Sequence, residues 1–315
     1  MSTIHLVDPE LRPMLEMLPK NDFSDSNIKD IRKKMKSLME AMPSMKIEGV
    51  QMQEHYIEKD GSKIRVLVYS PTTAEDTAKP ALLYIHGGGY VMGSPDEFVA
   101  RNEMFCKELG AVVVSVDYRL APEHRYPIPL EDCYAALAWI FENLDALGVN
   151  GDKVGIYGES AGGGLAAALA LLTRDRKEFS IAHQFLVYPM LDDRTCVTPE
   201  PNPYTGEFVW TPESNHYGWS SLLGHEPGLD GVSPYASPAR IDVMVGLPNA
   251  YICVGTLDLF LDEDLAYAQR LLLAGVQTEL HVYPGAFHGF DMVPGTILSR
   301  QFEDDLLRAM KKAFS

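Results

Sequence analysis

Apolar positions along the chain follow two periods, and the switches between them mark its elements. In NIKDIRKKMKSLMEAM, from Asn27, the residues Ile28, Ile31, Met35, Leu38 and Met39 recur at spacings of three and four, which predicts an amphipathic helix. Its polar face is basic, which would suit a membrane surface. Because the rest of the chain is acidic, the helix is expected instead to lay its apolar face over the main domain and solvate its lysines. From Val50 to Ser70 the period becomes two: QMQEHYIE, then KDGS with an Asp-Gly turn signal, then KIRVLVYS predict an antiparallel hairpin.

Beyond Lys79, strand-like and helix-like stretches alternate with short connections. ALLYIH, from Ala81, and AVVVSVD, from Ala111, are continuous apolar runs, as expected of strands covered on both faces. Between them SPDEFVARNEMFCKELG opens on Ser94, Pro95 and Glu97, a capping-box pattern with proline at the first helical position, and closes on Gly110. A helix EDCYAALAWIFENLDALG, ending on Gly148, precedes the strand KVGIYG from Lys153. After a helix that follows Ser160 come IAHQFLVYP, NAYICVG, the helix DEDLAYAQRLLLAG, TELHVYPG and a last helix RQFEDDLLRAMKKAF. This order predicts a mostly parallel sheet with helices on both faces. One segment, roughly 192–247, breaks the alternation. It carries Tyr204, Phe208, Trp210, Tyr217 and Trp219 with one short helical stretch near PESNHYGWSSLLG, and reads as a lid or binding insertion.

Composition narrows the partners. A chain of 315 residues with 46% apolar and 23% charged residues can bury one large core, so a single domain with insertions is expected. A formal charge of -17 argues against nucleic acid, whose phosphates are bound by lysine and arginine. Cys106, Cys133, Cys196 and Cys253 show no paired spacing, so they read as thiols in a reduced compartment rather than as a metal knuckle or disulfide framework. The first residues, MSTIHLVDPELRPML, hold acids and prolines where a signal peptide needs an apolar core. No apolar run reaches the roughly 20 residues that span a bilayer. A cytoplasmic protein without stable membrane insertion is expected.

The candidate chemistry begins at Gly158-Glu159-Ser160-Ala161-Gly162, which fits G-x-S-x-G, a strand-to-helix turn holding a serine at its tip. Three fixed positions match by chance in roughly one chain in ten of this length; the predicted strand before and helix after give the match its weight. A serine hydroxyl needs a base, and the base needs an orienting acid. If the chain order is serine, acid, histidine, both lie after Ser160. His183 and His281 fall inside predicted strands and His216 and His225 in the insertion, whereas His288, in PGAFHGF, follows the last predicted strand in a glycine-flanked loop. Asp258 is the first carboxylate after NAYICVG. Asp262, Glu263 and Asp264 read as first-turn helix charges, and Asp192 and Asp193 are the competing acids. HGGGY, His86 to Tyr90, leaves a predicted strand with glycines whose N–H groups can approach a substrate oxygen. Gly87, Gly88 and Ala161 are the expected donors, with His86 bracing the loop. No metal or organic cofactor is required by this set.

HGGGY, VDYRLAPEHRYP, GESAGGG, the Asp258 loop and AFHGF, in that order, resemble the hormone-sensitive-lipase-like esterases, the bacterial type with an HGGG motif. The resemblance covers roughly residue 56 to the C-terminus. It implies an α/β-hydrolase fold, with residues 1–50 and the insertion at about 192–247 as a cap on a catalytic domain of residues 51–315. It also implies a triad of Ser160, Asp258 and His288, an oxyanion hole of Gly87, Gly88 and Ala161, no cofactor, and a small-molecule carboxylic ester of short to medium chain as substrate. Glu159 stands where many relatives have aspartate. A receptor branch of the family lacks the histidine that this chain keeps at His288. TELHVY offers an edge for a homodimer, which the sequence leaves undecided.

Overall fold

The computed structural model describes residues 2–17, 22–41, 46–59, 61–72 and 78–315. Among them eight strands form one sheet in the order β1-β2-β4-β3-β5-β6-β7-β8. The hairpin is β1 (Val50–Lys59) and β2 (Ser62–Pro71), paired antiparallel from Val50↔Pro71 to Lys59↔Ser62. Asp60 of its turn lies outside the described residues. Strand β2 runs antiparallel to β4 (Val112–Asp117). From there β3 (Lys79–Ile85), β5 (Val149–Glu159), β6 (His183–Val187), β7 (Asn249–Gly255) and β8 (Thr278–Tyr283) pair in parallel, with β8 as the outer edge.

The continuous apolar runs divide by side-chain alternation into two cores. Ala81, Leu83 and Ile85 of β3 with Val112, Val114 and Val116 of β4 face one layer; Leu82, Tyr84 and Val113 face the other. The first layer is roofed by α4 (Ile128–Glu142), α6 (Ala161–Arg176) and α8 (Leu261–Leu273). The second is roofed by α3 (Val99–Leu109) and α9 (Ile297–Phe314). On α9 the stripe Leu298, Phe302, Leu306 and Met310 repeats every four residues and is buried throughout. Each such side chain contributes roughly 1.5–3 kcal/mol.

Local boundaries depart from the pattern where tertiary bonds compete. Ser94 makes no capping bond: Pro95–Phe98 form a 3-10 turn and α3 starts at Val99. Arg65 binds Asp96 from across the sheet and thereby fixes this turn. The Gly110 end is as expected, in the left-handed conformation at φ 59. The stretch ending on Gly148 is two helices, α4 and the single turn α5 (Leu144–Leu147), parted at Asn143, whose amide side chain donates back to the Trp139 carbonyl. Strand β6 stops at Val187 because Tyr188 turns to φ 35 and donates its N–H to the Cys253 carbonyl at 2.7 Å.

Residues of the N-terminal segment and of the 192–247 segment lie over the carboxyl ends of the strands. Short α1 (Arg12–Met17) precedes α2 (Ile28–Ala41). In α2, Ile28 is buried with Val91 and Ala121, and Arg32 donates to the carbonyls of Val91 and Ala121, both at 2.6 Å, and to Glu123. The side chains of Leu38 and Met39, counted in the helical stripe above, lie outside the described residues. The 192–247 segment contains α7 (Pro212–Leu223) and is knitted by Asp193, which pairs with Arg240 at 2.6 Å and accepts the Gly228 N–H.

Candidate active site

Parallel strands deliver their carboxyl ends to one rim of the sheet, and the candidate residues follow those ends. Ser160 sits between the last residue of β5 and the first of α6, at φ 54 and ψ -121, a conformation costly for a side chain. Neighbouring bonds hold it there: the Ser160 N–H donates to the Val187 carbonyl, and its carbonyl accepts from Met190 and Gly164. The turn is so close that a Cβ on Gly158 would lie 2.1 Å from the Gly162 carbonyl oxygen. One on Gly162 would lie 2.1 Å from that of Ile85. Only glycine fits either position.

His288 brings the set together. Its Nε2 lies 2.9 Å from Ser160 Oγ and its Nδ1 2.8 Å from Asp258 Oδ2. With Nδ1–H donating to the carboxylate, Nε2 is left to accept the serine hydroxyl. Asp258 is fully buried and its Oδ1 accepts the Phe260 N–H at 3.0 Å. The acid and histidine loops are packed backbone to backbone, with Leu257 N–H donating to the Ala286 carbonyl and Gly285 N–H to Thr256 Oγ1. Tyr188, Phe260 and Trp210 surround the imidazole, with ring centroids at 4.6, 5.2 and 6.3 Å. Such a chain can draw the proton from Ser160 Oγ while keeping water from the ring.

The glycine loop leaves β3 beside the serine, with Gly87 next to the Glu159 carbonyl and Ser160 Cβ. Among the described residues, no turn, loop or cap bond takes up the N–H groups of Gly87, Gly88 or Ala161. His86 is wholly buried, stacks on Tyr118 at 4.2 Å, and its Nδ1–H donates to the Gly87 carbonyl at 2.8 Å. Burial lowers its pKa to about 4, so the ring is neutral. Tyr118 comes from the VDYRLAPEHRYP stretch and donates to the His86 carbonyl; Arg119 there grips the buried Asp132.

The competing side chains lie elsewhere. Asp192 pairs with Arg194 and Asp193 with Arg240. His183 stacks on Phe185, His216 faces Glu226, and His281 faces Glu279 and Asp305. Glu263 turns inward from the first turn of α8, accepting the N–H groups of Leu191 and Asp192, which a surface-charge reading of that turn misses. Also missed was Arg101, which binds both Glu159, behind the serine, and Asp291. Among the described residues no group of His, Cys, Asp and Glu is arranged to hold a metal, the four cysteines are free, and no helix is long and apolar enough to cross a membrane.

Trp210 stands beside His288. Its indole lies against the backbone of Gly89, near Phe23, which in turn stacks on Tyr217 of α7. Ser160 is left 6% exposed.

Comparison with known proteins agrees with this architecture. A family model described as alpha/beta hydrolase fold matches residues 82–292. Esterase LipI of Mycobacterium tuberculosis is 32% identical over 296 residues, covering 92% of this chain and 90% of that protein. An arylesterase of Saccharolobus solfataricus is 32% identical over 302 residues, covering 94% and 95%. Among solved structures, a bacterial heroin esterase superposes with a TM-score of 0.90 at 36% identity over 100% of both chains. A hyperthermophilic esterase from the archaeon Pyrobaculum calidifontis does so at 0.85 and 33% identity, over 97% of this chain and 98% of that one. A doubly covered, mostly parallel sheet, a serine elbow and relatives that match along nearly their whole length lead to one assignment: the chain belongs to the α/β-hydrolase fold family, among its hormone-sensitive-lipase-like esterases.

Proposed function

We propose that the protein hydrolyses carboxylic esters of short to medium chain through an acyl-enzyme on Ser160. The observation that carries the reading is the hydrogen-bonded chain from Asp258 through His288 to Ser160. Ser160 Oγ attacks the ester carbonyl carbon as His288 Nε2 takes its proton, and Asp258 stabilises the imidazolium. The negative oxygen of the tetrahedral intermediate is held by the N–H groups of Gly87, Gly88 and Ala161, aided by the N-terminal end of α6. Collapse breaks the bond to the alkoxy oxygen, which leaves as the alcohol with the proton from His288. Water then attacks the acyl carbon with His288 as base, and the carboxylic acid and free serine are released. No cofactor enters these steps. The N-terminal helices and the 192–247 segment act as the cap, and the aromatic cover of Trp210, Phe23 and Tyr217 favours small acyl groups.

Hydrolysis of p-nitrophenyl esters from acetate to laurate, with wild type beside Ser160→Ala and His288→Ala, tests this. Turnover should peak at the shorter chains and disappear in both variants. A Ser160→Ala protein with the wild-type rate would overturn the mechanism.

A further inference from the structure

Resting on that reading of the site, we propose that Arg101 of α3 is a positioning residue, bridging the loop that carries Ser160 to the loop that carries His288. Glu159 immediately precedes the serine, and Asp291 follows His288 by three residues. The Arg101 guanidinium reaches both: Nη1 donates to Glu159 Oε1, and Nη2 donates to Asp291 Oδ2 at 2.7 Å. The two carboxylates are 3% and 1% exposed in their side chains, and among the described residues Arg101 is the cation that meets either.

The surroundings are built for this pairing. Tyr84 and Tyr157 donate to Glu159 Oε1 at 3.0 and 2.6 Å, and Tyr188 donates to Asp291 Oδ1 at 2.7 Å. Burial, reinforced by the adjacent carboxylates, pushes all three phenols far above their ordinary range, so they stay neutral donors. Tyr188 also sets its ring edge-on to His288 at 4.6 Å, so the same network touches the imidazole directly. Without the guanidinium, two buried carboxylates would repel one another across the gap between the loops. That repulsion acts on the separation of Ser160 Oγ and His288 Nε2, now 2.9 Å. Arg101 is neither one of the proposed oxyanion donors nor part of the aromatic cover of Trp210, Phe23 and Tyr217, so the loss should fall on kcat rather than KM.

The bridge also has its own access. A cleft of about 470 Å³ opens beside α3 and α9 and is lined by Arg101, Glu159 and Asp291 together with Phe98, Met104 and Phe302. A small planar cation can therefore reach the space that a shortened side chain would leave.

The test is Arg101→Ala and Arg101→Lys, assayed with a p-nitrophenyl ester in the presence of millimolar guanidinium chloride or, as control, sodium chloride. Arg101→Ala should lose about 10²-fold in kcat, with KM nearly unchanged, for a misplacement of the order of 1 Å. Guanidinium, and not sodium, should restore at least a tenth of the wild-type kcat in a saturable way, while leaving wild type unaffected. If Arg101→Ala fails to fold, Arg101→Lys, which keeps the charge but cannot fork to two carboxylates, carries the same kcat test. A kcat within twofold of wild type in whichever variant folds, or a loss in a folded Arg101→Ala protein that guanidinium does not reverse, overturns the proposal. An inactive wild type would instead refute the esterase reading itself.

Discussion

Lowering the pH should cost this protein stability through His86, a residue that takes no part in proton transfer. The ring is fully buried, its Nδ1–H is committed to the Gly87 carbonyl, and its Nε2 has no partner among the described residues. A second proton would leave a charged, unsatisfied N–H inside the core. The ordinary value of 6.5 holds in the unfolded chain, against about 4 in the fold. Between these limits the unfolded state binds more protons, so this contribution is fully present above about pH 6.5 and is lost as pH falls toward 4. From about pH 7.5 to 5 the loss from His86 is about 2 kcal/mol. The raw pH slope mixes other groups. His183 is also lowered to about 4 by burial, whereas Glu263 and Asp264 are held high by burial and act with the opposite sign. The difference between wild type and His86→Asn isolates the term, because asparagine can offer an amide N–H to Gly87 without titrating. Urea unfolding followed by tryptophan fluorescence at both pH values should show the variant losing about 2 kcal/mol less than wild type on acidification. Equal losses in the two proteins would refute the argument, whatever the absolute stabilities.

Other consequences can be measured in parallel. Asp258→Asn should fold normally and lose about 10⁴-fold in kcat, because the amide no longer fixes the tautomer of His288; steady-state kinetics read this. Glu263→Ala should cost about 2–4 kcal/mol in urea unfolding by orphaning the N–H groups of Leu191 and Asp192. Glu263→Gln, which keeps an acceptor, should cost less than half as much. Trp210→Ala, which removes the indole from its place beside Gly89 and Phe23, should shift the optimum in the p-nitrophenyl ester series toward longer acyl chains. An unchanged optimum would separate Trp210 from chain-length selection.

The central strands were legible because they are covered on both faces. Continuous runs such as ALLYI and VVVSV have no polar alternative, and the alternation of strands with helices left a mostly parallel arrangement as the reading, which the fold bears out. Ser160, Asp258 and His288 were legible for a different reason: each stands in the connection after a strand end, where side chains from distant parts of the chain converge, and the structure brings them within 2.8–2.9 Å. Element ends were harder. Ser94, Pro95 and Glu97 have the right spacing for a cap, but Arg65, a residue of another strand, binds Asp96 and the turn tightens instead. Glu263 had the same ambiguity: a carboxylate in a first helical turn suits solvent as well as it suits the loop amides it binds. The Arg101 bridge was beyond reach because its two bonds join residues 58 and 190 positions apart, and nothing in the local pattern of α3 sets Arg101 apart from a solvated arginine.

The register explains why these long-range bonds gather at one place. Ile85 pairs with Gly158, Glu159 with Val187, Val187 with Cys253 and Gly255 with Tyr283, so the parallel strands end nearly level. Each connection then begins within a few ångströms of its neighbour, and the strained serine is fixed from several sides at once. Its N–H is held by the end of β6 and its carbonyl by α6 and Met190. The side chain of the preceding Glu159 is held by Arg101, and the hydroxyl of Ser160 meets His288. A conformation near φ 54 persists because no single bond could relax it without breaking another. The hairpin β1–β2, which joins the sheet antiparallel and is separated from β5 by the two strands β4 and β3, lends none of these bonds to the serine. A substitution at Arg101 or Glu263, by contrast, though far from any bond being broken in the reaction, acts on residues that pack against the site.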